Sequence, residues 1–266
     1  MSDFKETLRS ISVPKGSVRV FWLEQSHFVV VTPQGARIHI DPFLSREVKP
    51  ENHIYPMPLL APADAVATFV LLTHDHRDHT DPHTLLPMAK GNPSCRFYGP
   101  REAIERCRGA GMEERRLLAV AEGDSFSVDG VEVSAVHAES TGDKDDTTHL
   151  GFIVHIDDIV IYNVGDSRHS PELYADRLGP VRDLRPDIMI VPINEGYNNP
   201  GPVGARRLVE MVDPRLVIPC HFGCFKHNTI DPQLFLDALD EPLRRRVRIL
   251  DRGASLEVSR TRGASS

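Results

Sequence analysis

Short apolar runs recur along the whole chain, and most of them are rich in β-branched and aromatic residues. Runs of this length and composition, bounded by turn-forming residues, predict buried β-strands. The strands expected on this basis cover residues 17–23, 28–32, 36–40, 66–73, 125–137, 150–156, 158–164, 187–193, 215–219 and 246–250. The turn residues Pro33-Gln34-Gly35 and Asp129-Gly130 predict hairpins, the second of them inside 125–137.

Helical patterns lie between these strands. Asp81 and Pro82 predict the start of one helix, because Asp is a favoured N-cap and Pro fits the first helical position. Further helices are predicted from about Arg101 to Ala110, from Gly204 to Met211 and from Pro232 to Leu239. Many strands with interspersed helices indicate the α/β class. The proline-rich stretch 50–64 is interpreted as a long loop, so residues 1–266 are expected to form a single domain.

Composition narrows the classes of partner. The 266 residues carry a formal net charge of -7, so a general attraction to nucleic acid is not expected. No run approaches the ~20 apolar residues that span a membrane, and the N-terminal residues lack the apolar segment of a signal peptide. A cytoplasmic protein with no nucleic-acid or membrane partner is therefore expected, and a homo-oligomer is compatible with this composition. The four cysteines form no CxxC pair and are expected to be free thiols, although Cys220 and Cys224 flank His221 and leave a zinc interpretation open.

The most specific chemical signal is the segment 73–79, THDHRDH, directly after an apolar run and before the helix predicted at Asp81. A loop that follows a strand can direct several side chains into one cavity. Imidazole and carboxylate groups suit zinc, manganese and iron. The alternative is a surface loop that is rich in His and Asp without function. The four candidate metal ligands in this segment are His74, His76, Asp78 and His79.

Three further candidates each lie at the end of a predicted strand. His137 follows VEVSAV, Asp166 follows IVIYNVG and His221 follows LVIPC. Taken singly, a histidine at such a position is more often structural. The carboxyl ends of parallel strands meet at one edge of a sheet, where sites are commonly built. Together with segment 73–79, these positions favour a metal site.

The HxHxDH motif, followed in order by His137, Asp166 and His221, resembles the metallo-β-lactamase superfamily over nearly the whole chain. The resemblance implies an αββα four-layer sandwich and two divalent ions, Mn²⁺ or Zn²⁺. It also implies a supporting role for Asp41, in HIDPFLS, for which the alternative is a turn-forming Asp-Pro. The implied ligands are His74, His76 and His137 for the first ion, and Asp78, His79 and His221 for the second, with Asp166 bridging.

Two ions in such a site would generate a bridging hydroxide and polarise a carbonyl or phosphoryl oxygen. Asp78 would bind a metal and orient the hydroxide, which makes it a candidate catalytic residue. Members of the superfamily with di-iron redox chemistry carry an acid at the position of His76. The histidine found here therefore favours hydrolysis, and a non-catalytic metal-binding protein is the alternative from another class.

Several segments resemble the L-ascorbate-6-phosphate lactonase branch of the superfamily. They include FWLEQSHFVV, HIDPFLS, LLTHDHRDHTD, NVGDSRHS and RLVIPCHF. The chain departs from the branch at His137, where the branch tends to have an acid, at His149, which replaces an Asn-like residue, and in the short segment 139–148. The resemblance implies a lactonase that acts on a small anionic, sugar-phosphate-like lactone. A phosphodiesterase that uses the same metals is the runner-up.

Residues that would select the substrate are predicted around these motifs. His149 is interpreted as a catalytic contact to the substrate or transition state, with a structural hydrogen bond as the alternative. Lys226 is a further candidate for an anionic group. The candidate substrate-binding residues are Arg77, Arg168, His169, Glu195, Tyr197 and Asn198.

Overall fold

The structure is a computed structural model that describes residues 2–47, 49–142 and 147–260. Strands within these ranges are β1 (Ser17–Glu24), β2 (His27–Val31), β3 (Arg37–Ile40), β4 (Phe69–Leu71), β5 (Arg96–Gly99), β6 (Leu117–Ala119), β7 (Ser125–Val128), β8 (Val131–His137), β9 (Leu150–Ile156), β10 (Ile159–Asn163), β11 (Ile188–Pro192), β12 (Leu216–Cys220) and β13 (Ser255–Ser259). The α-helices are α1 (Ser2–Ser10), α2 (Pro82–Gly91), α3 (Arg101–Gly109), α4 (Gly179–Leu184), α5 (Gly201–Val212), α6 (Gln233–Ala238) and α7 (Glu241–Arg244).

The strands form two mixed sheets. The first has the order β13-β1-β2-β3-β4-β5-β6, with antiparallel pairs from β13 to β3 and parallel pairs from β3 to β6. The second has the order β12-β11-β10-β9-β8-β7. Its strands β10, β11 and β12 are parallel, whereas β7 to β10 pair antiparallel. Parallel and antiparallel segments therefore coexist in both sheets.

Apolar side chains of the two sheets share one core. Trp22 and Phe69 of the first sheet belong to the same buried cluster as Phe152 and Ile161 of the second. The other face of the first sheet forms a second cluster with residues of α1, α2 and α3, among them Leu85. Helix α5 packs its buried side chains into the shared cluster. This arrangement confirms the predicted α/β class and the αββα sandwich.

The predicted elements agree with the structure except in a few places. The strand expected over 246–250 is wrong, because only Val247 forms an isolated bridge, with Val217. The strand expected over 66–73 is shorter than predicted. Helix α2 begins as predicted, and the Asp81 carboxylate accepts a hydrogen bond from the backbone of His83. Elements that the pattern did not predict are α1, α4, α7, β5, β6 and β13.

None of the helices within the described ranges is long and apolar enough to cross a membrane. The four cysteines are buried thiols. Residues 143–146, part of the short segment 139–148, lie outside the described residues.

Strand direction brings chemically reactive residues to one edge of the sandwich. Asp41 and Thr73 follow β3 and β4, and His221 follows β12. Strand β9 runs antiparallel to β8 and β10, so the start of β9 lies at the same edge as their ends. His149, directly before β9, is therefore carried to the edge that Asp166 reaches after β10.

Candidate metal centre

Three imidazoles form the first donor group, which we define as His74, His76 and His149. One ring nitrogen from each lies within 4.8 Å of the others. The rings of His74 and His149 stack with centroids 4.1 Å apart. Nδ1 of His149 donates to the backbone carbonyl of Asp166 at 3.2 Å, which fixes the orientation of the ring.

The second donor group, Asp78, His79 and His221, contains a carboxylate. One ligand atom from each lies within 4.8 Å of the others. Oδ2 of Asp78 is 3.4 Å from Nε2 of His221 and 3.7 Å from Nε2 of His79. His79 and His221 are buried, whereas the Asp78 side chain is 22% exposed. Asp78 is thus the member of this group that has the most access to solvent.

Asp166 lies between the two groups. It forms a third set of converging atoms with His74 and His79, one from each group. Its Oδ1 is 3.5 Å from Nε2 of His79, and its Oδ2 is 3.2 Å from Nε2 of His221. Asn199 donates to Oδ2 at 2.9 Å and so fixes the carboxylate. Asp166 would therefore be available to ions held by either donor group.

Asp41 supports the site from behind. Its Oδ2 accepts from Nδ1 of His79 at 2.8 Å and from Oγ1 of Thr73 at 2.7 Å, and its Oδ1 accepts from the backbone of Thr73. The hydroxyl of Thr73 also lies 3.0 Å from Nδ1 of His74. These bonds hold the Nδ1 side of each ring, so that Nε2 faces the centre. Asp41 has the supporting position that the resemblance implied.

The two groups differ in charge. Burial is the main cause that lowers the pKa of His74 well below 6.5, and the neighbouring imidazoles add to it. Burial also opposes protonation of His79 and His221, but nearby carboxylates outweigh it. Asp166, Asp41 and Asp78 raise the pKa of His79 to about 9, and Asp166 and Asp78 raise that of His221 to about 10. The same pairing holds the pKa of Asp78 and Asp166 below 3.8, against the effect of burial.

The donor set fits divalent metal ions. Nε2 of His74, Nε2 of His79 and Oδ1 of Asp166 are buried and have no hydrogen-bond partner among the described residues. Buried polar atoms without a partner are costly, so three that converge on one point indicate a bound cation. Imidazole with carboxylate is a donor set that suits Zn²⁺ and Mn²⁺.

A cavity of about 650 Å³ opens onto both donor groups. Two of the predicted substrate-binding residues, Arg77 and Tyr197, line it. The residues that line it are Phe43, Ser45, Lys49, Asn52, His76, Arg77, Asp78, Asp166, Tyr197, Asn199, His221, Phe225, His227 and Asn228. A volume of this size suits a small metabolite.

The other predicted substrate contacts do not line this cavity. Asn198 donates to the backbone carbonyl of Thr141 at 2.8 Å, and His169 and Glu195 are exposed. Arg168 is half-buried, and its backbone carbonyl accepts from the hydroxyl of Tyr174. Lys226 donates to the backbone carbonyl of Glu51 at 2.8 Å. Loop 195–199 thus contributes to the cavity through Tyr197 and Asn199.

Comparison with known proteins agrees with this geometry. The family model described as Beta-lactamase superfamily domain matches residues 19–221, which include every member of both donor groups. The chain belongs to the β-lactamase superfamily. A relative from Pyrobaculum arsenaticum, named UPF0173 metal-dependent hydrolase, is 26% identical over 242 residues, covering 91% of this chain and 100% of the relative.

Solved structures of the superfamily fold are also similar. Igni18, described as a novel metallo hydrolase from the archaeon Ignicoccus hospitalis KIN4/I, has a TM-score of 0.72 at 20% identity, covering 92% of this chain and 100% of that one. An isothiocyanate hydrolase from Delia radicum gut bacteria has a TM-score of 0.69 at 18% identity, covering 91% and 99%. These likenesses confirm the metallo-β-lactamase fold. Superfamily, fold and donor groups together support a metal-dependent hydrolase.

The structure places His137 outside both donor groups. Its Nδ1 lies 3.1 Å from a carboxylate oxygen of Glu122 and its Nε2 lies 3.0 Å from one of Glu139. Both ring nitrogens are therefore engaged away from the donor groups. His149 takes the third place beside His74 and His76, and it is not among the residues that line the cavity, so its role as a substrate contact stays a prediction.

Gln25 is the residue of the site that the motifs did not indicate. It lies in the turn between β1 and β2, far from segment 73–79 in sequence, and its amide contacts Asp78 and His221. A polar residue that interrupts two apolar strands is normally interpreted as a turn residue, so the sequence carried no distinguishing signal. Lys49 lies directly before the stretch 50–64 and Asn52 lies inside it. Both line the cavity, and both were missed because that stretch was interpreted only as a long loop.

Proposed function

We propose that this protein is a metal-dependent hydrolase that opens the lactone ring of a small anionic, sugar-phosphate-like metabolite. The observation that carries the proposal is the pair of donor groups, joined by Asp166, at the floor of one cavity. The name of the Pyrobaculum arsenaticum relative, a metal-dependent hydrolase, supports the reaction class. The resemblance to the L-ascorbate-6-phosphate lactonase branch supports the lactone.

Two divalent ions, Mn²⁺ or Zn²⁺, would supply a water-derived nucleophile at neutral pH and polarise the carbonyl oxygen under attack. The first ion would be held by His74, His76 and His149, and the second by Asp78, His79 and His221, with Asp166 shared. Asp78 lines the cavity with part of its carboxylate exposed, so it can also orient the attacking water. Asn199 keeps Asp166 in place during this step.

The charge of the cavity supports an anionic substrate. Lys49 and Arg77 line it, and among the described residues neither has an ion pair or a side-chain hydrogen bond. The acidic residues in its lining, Asp78 and Asp166, belong to the metal centre. Once metal ions neutralise these carboxylates, Lys49 and Arg77 give the cavity a positive potential that favours an anion.

The lining also offers neutral polar groups. Asn52, Asn228 and the phenol of Tyr197 can hydrogen-bond to hydroxyl groups of a substrate, while Phe43 and Phe225 provide an apolar wall. A compact polyhydroxylated ring with one anionic substituent would match both features.

The test is a turnover assay on purified protein reconstituted with Mn²⁺ or Zn²⁺. The panel should contain an anionic sugar lactone, a neutral lactone of the same ring size and a bis-phosphodiester. We expect the anionic lactone to have a kcat/KM at least roughly 10-fold above that of the neutral one, as for a single charge contact. Faster cleavage of the bis-phosphodiester than of every lactone would replace the lactonase proposal with a phosphodiesterase.

Variants of the two cations identify the group that binds the anion. Lys49→Ala and Arg77→Ala should raise KM for the anionic lactone by about 10-fold and leave KM for the neutral lactone unchanged. Lys90→Ala and Arg96→Ala are matched controls, because these cations are exposed and do not line the cavity. Equal changes in KM for both lactones would show that Lys49 and Arg77 do not recognise the anionic group. The assignment as a hydrolase would not be affected.

A further inference from the structure

Gln25 is a fully buried glutamine inside the metal centre, although it is not one of the donors. Its Nε2 donates to Oδ2 of Asp78 at 2.8 Å. The same nitrogen lies 3.1 Å from each ring nitrogen of His221. Gln25 therefore contacts two of the three members of the second donor group, and no hydrogen bond joins its side chain to the first group among the described residues.

The backbone of Gln25 is tied to the same place. Its carbonyl accepts from the backbone N–H of His221 at 3.0 Å and from Nε1 of Trp22 at 2.9 Å. Gln25 and His221 both have positive φ angles, 54° and 63°, which side chains other than glycine rarely adopt. The pairing register of β1 and β2 also shifts between Trp22 and Glu24. The turn is thus held in an uncommon conformation that directs the Gln25 side chain at Asp78.

The other end of the amide makes no compensating contact. Oε1 of Gln25 is buried and has no hydrogen-bond partner among the described residues. An unpartnered buried carbonyl destabilises a folded protein, and an apolar side chain of similar size would avoid that cost. The burial of this amide is therefore not explained by stability of the turn, and its contact with Asp78 is the one strong interaction that it gains.

Asp78 needs such a contact more than its neighbours do. His79 is held by Asp41, and His221 is held through its backbone, whereas the Asp78 side chain is 22% exposed. An amide donor fixes a carboxylate without bringing a charge of its own. A lysine or arginine in the same place would compete with a bound cation, and an acid would repel Asp78.

We propose that Gln25 is a positioning residue of the second donor group: its amide holds the Asp78 carboxylate and bounds the His221 ring, and so sets the affinity of the second metal ion but not of the first. This inference rests on the metal pair of the proposed function. It does not depend on which substrate is hydrolysed.

The test is a metal titration of the full-length chain, with Mn²⁺ and separately with Zn²⁺, by calorimetry. Gln25→Leu and Gln25→Met keep the size of the side chain and remove the amide. We expect one of the two equivalents to bind about 10- to 100-fold more weakly in both variants, as for other residues that orient metal ligands, and the other equivalent to bind unchanged. Gln34→Leu is the matched control, because Gln34 is an exposed glutamine that contacts Asp157.

Thermal unfolding of the metal-free variants separates positioning from a structural role. Positioning predicts that the metal-free midpoint of Gln25→Met stays equal to that of the wild type or rises, since an unpartnered carbonyl is removed. Equal affinities of the wild type and the Gln25 variants for both equivalents would overturn the inference. So would a parallel loss of both equivalents together with a lowered midpoint in both variants. Failure of the proposed function would differ, because the wild type itself would bind no ions or hydrolyse nothing.

Discussion

The two donor groups lie side by side, yet their imidazoles have opposite electrostatic surroundings. His74 is surrounded by other imidazoles, and burial lowers its pKa well below the ordinary value. His79 and His221 are as buried as His74, but the carboxylates of Asp166 and Asp78 raise their pKa to about 9 and 10. Burial is common to both groups, so the carboxylates make the difference.

The comparison shows how one cavity can hold two unlike cation sites. In the first group, burial and the neighbouring imidazoles favour the neutral form of His74. The second group already concentrates negative charge, which two imidazolium rings balance in the metal-free protein. Its carboxylate also faces the cavity, so the second group combines ion binding with contact to the reacting water. Substitution of the Asp78 carboxylate should therefore reduce turnover more than substitution of any single imidazole.

The largest effect is expected from Asp78→Ala. This change removes the carboxylate of the second group and the group that orients the attacking water. Turnover should fall by on the order of 10³-fold or more, with loss of the second equivalent of metal. Steady-state kinetics beside metal analysis would measure both. Asp75→Ala is the control, since Asp75 lies in the same segment but pairs with Arg106 at 2.9 Å; a loss as large in Asp75→Ala would contradict the assignment.

The next effect separates His149 from His137. His149→Ala should weaken binding of the first equivalent by more than roughly 100-fold, because even residues that only orient ligands contribute 10- to 100-fold. His137→Ala should leave both equivalents within about threefold of the wild type, since both of its ring nitrogens face glutamates. Elemental analysis after dialysis would show which variant lost an ion. Retention of two ions by His149→Ala would restore the original interpretation of that residue.

A pair of histidines outside the centre extends the comparison to imidazoles with no carboxylate nearby. Nε2 of His27 lies 2.9 Å from Nδ1 of His39, and both are buried. Burial lowers the pKa of His39 to about 4 and that of His27 well below 6.5, and His39 adds to the latter effect. The folded chain then binds fewer protons than the unfolded chain between about pH 4 and 6.5, so the free energy of unfolding falls as the pH falls through this window.

The loss should reach roughly 2–3 kcal/mol at pH 4, from a shift of this size in one imidazole. Urea unfolding of the metal-free protein at a series of pH values would measure it. The double variant His27→Gln, His39→Gln should reduce the dependence in this window and leave the part that His74 contributes. His83→Gln, at an exposed histidine, should leave it unchanged. A double variant with the slope of the wild type would show that the pair is not neutral when folded.

The smallest effect is expected from Thr73→Val, and it should not distinguish the groups. The Thr73 hydroxyl lies 2.7 Å from Asp41, 3.0 Å from His74 and 3.3 Å from His79, so it supports both. Loss of one such hydrogen bond costs about 1 kcal/mol, and each equivalent of metal should bind about fivefold more weakly. Thr68→Val is the control, because Thr68 accepts a hydrogen bond from Arg37 away from the centre. A selective loss at one group would show that Thr73 supports only that group.

The sequence predicted the local part of the site better than the distant part. Segment 73–79 could be interpreted from spacing alone, and Asp166 and His221 from their places after strands. His149 was interpreted as a substrate contact and not as a metal ligand, because it precedes a strand. It reaches the edge of the site because β9 runs antiparallel to β8 and β10. The direction in which a strand pairs is set by the whole sheet, so it cannot be predicted from one apolar run in the sequence. The same limit explains why His137, at the end of β8, was favoured instead.

Burial accounts for one strand prediction that succeeded and for two that failed. Residues 150–156 form β9 with the predicted bounds, since nearly all of them are buried. Residues 246–250 contain two arginines, and Arg246 is held by Asp213 instead of by a neighbouring strand. Strand β13 was missed because its apolar residues alternate with Ser and Glu in a run of only five residues. Contacts with the rest of the fold decide whether such short segments form strands.

The spacing of the donors along the chain also fixes the order in which they leave the ribosome. The first donor group is present once residue 149 has been synthesised, whereas the second is incomplete until residue 221. His221 directly follows β12, which pairs with β11 at the end of the second sheet. A nascent chain or a truncated product that stops before β12 therefore lacks the carboxylate-containing site, however well its earlier strands have folded. Hydrolytic activity in a cell would then report only chains whose translation has passed residue 221.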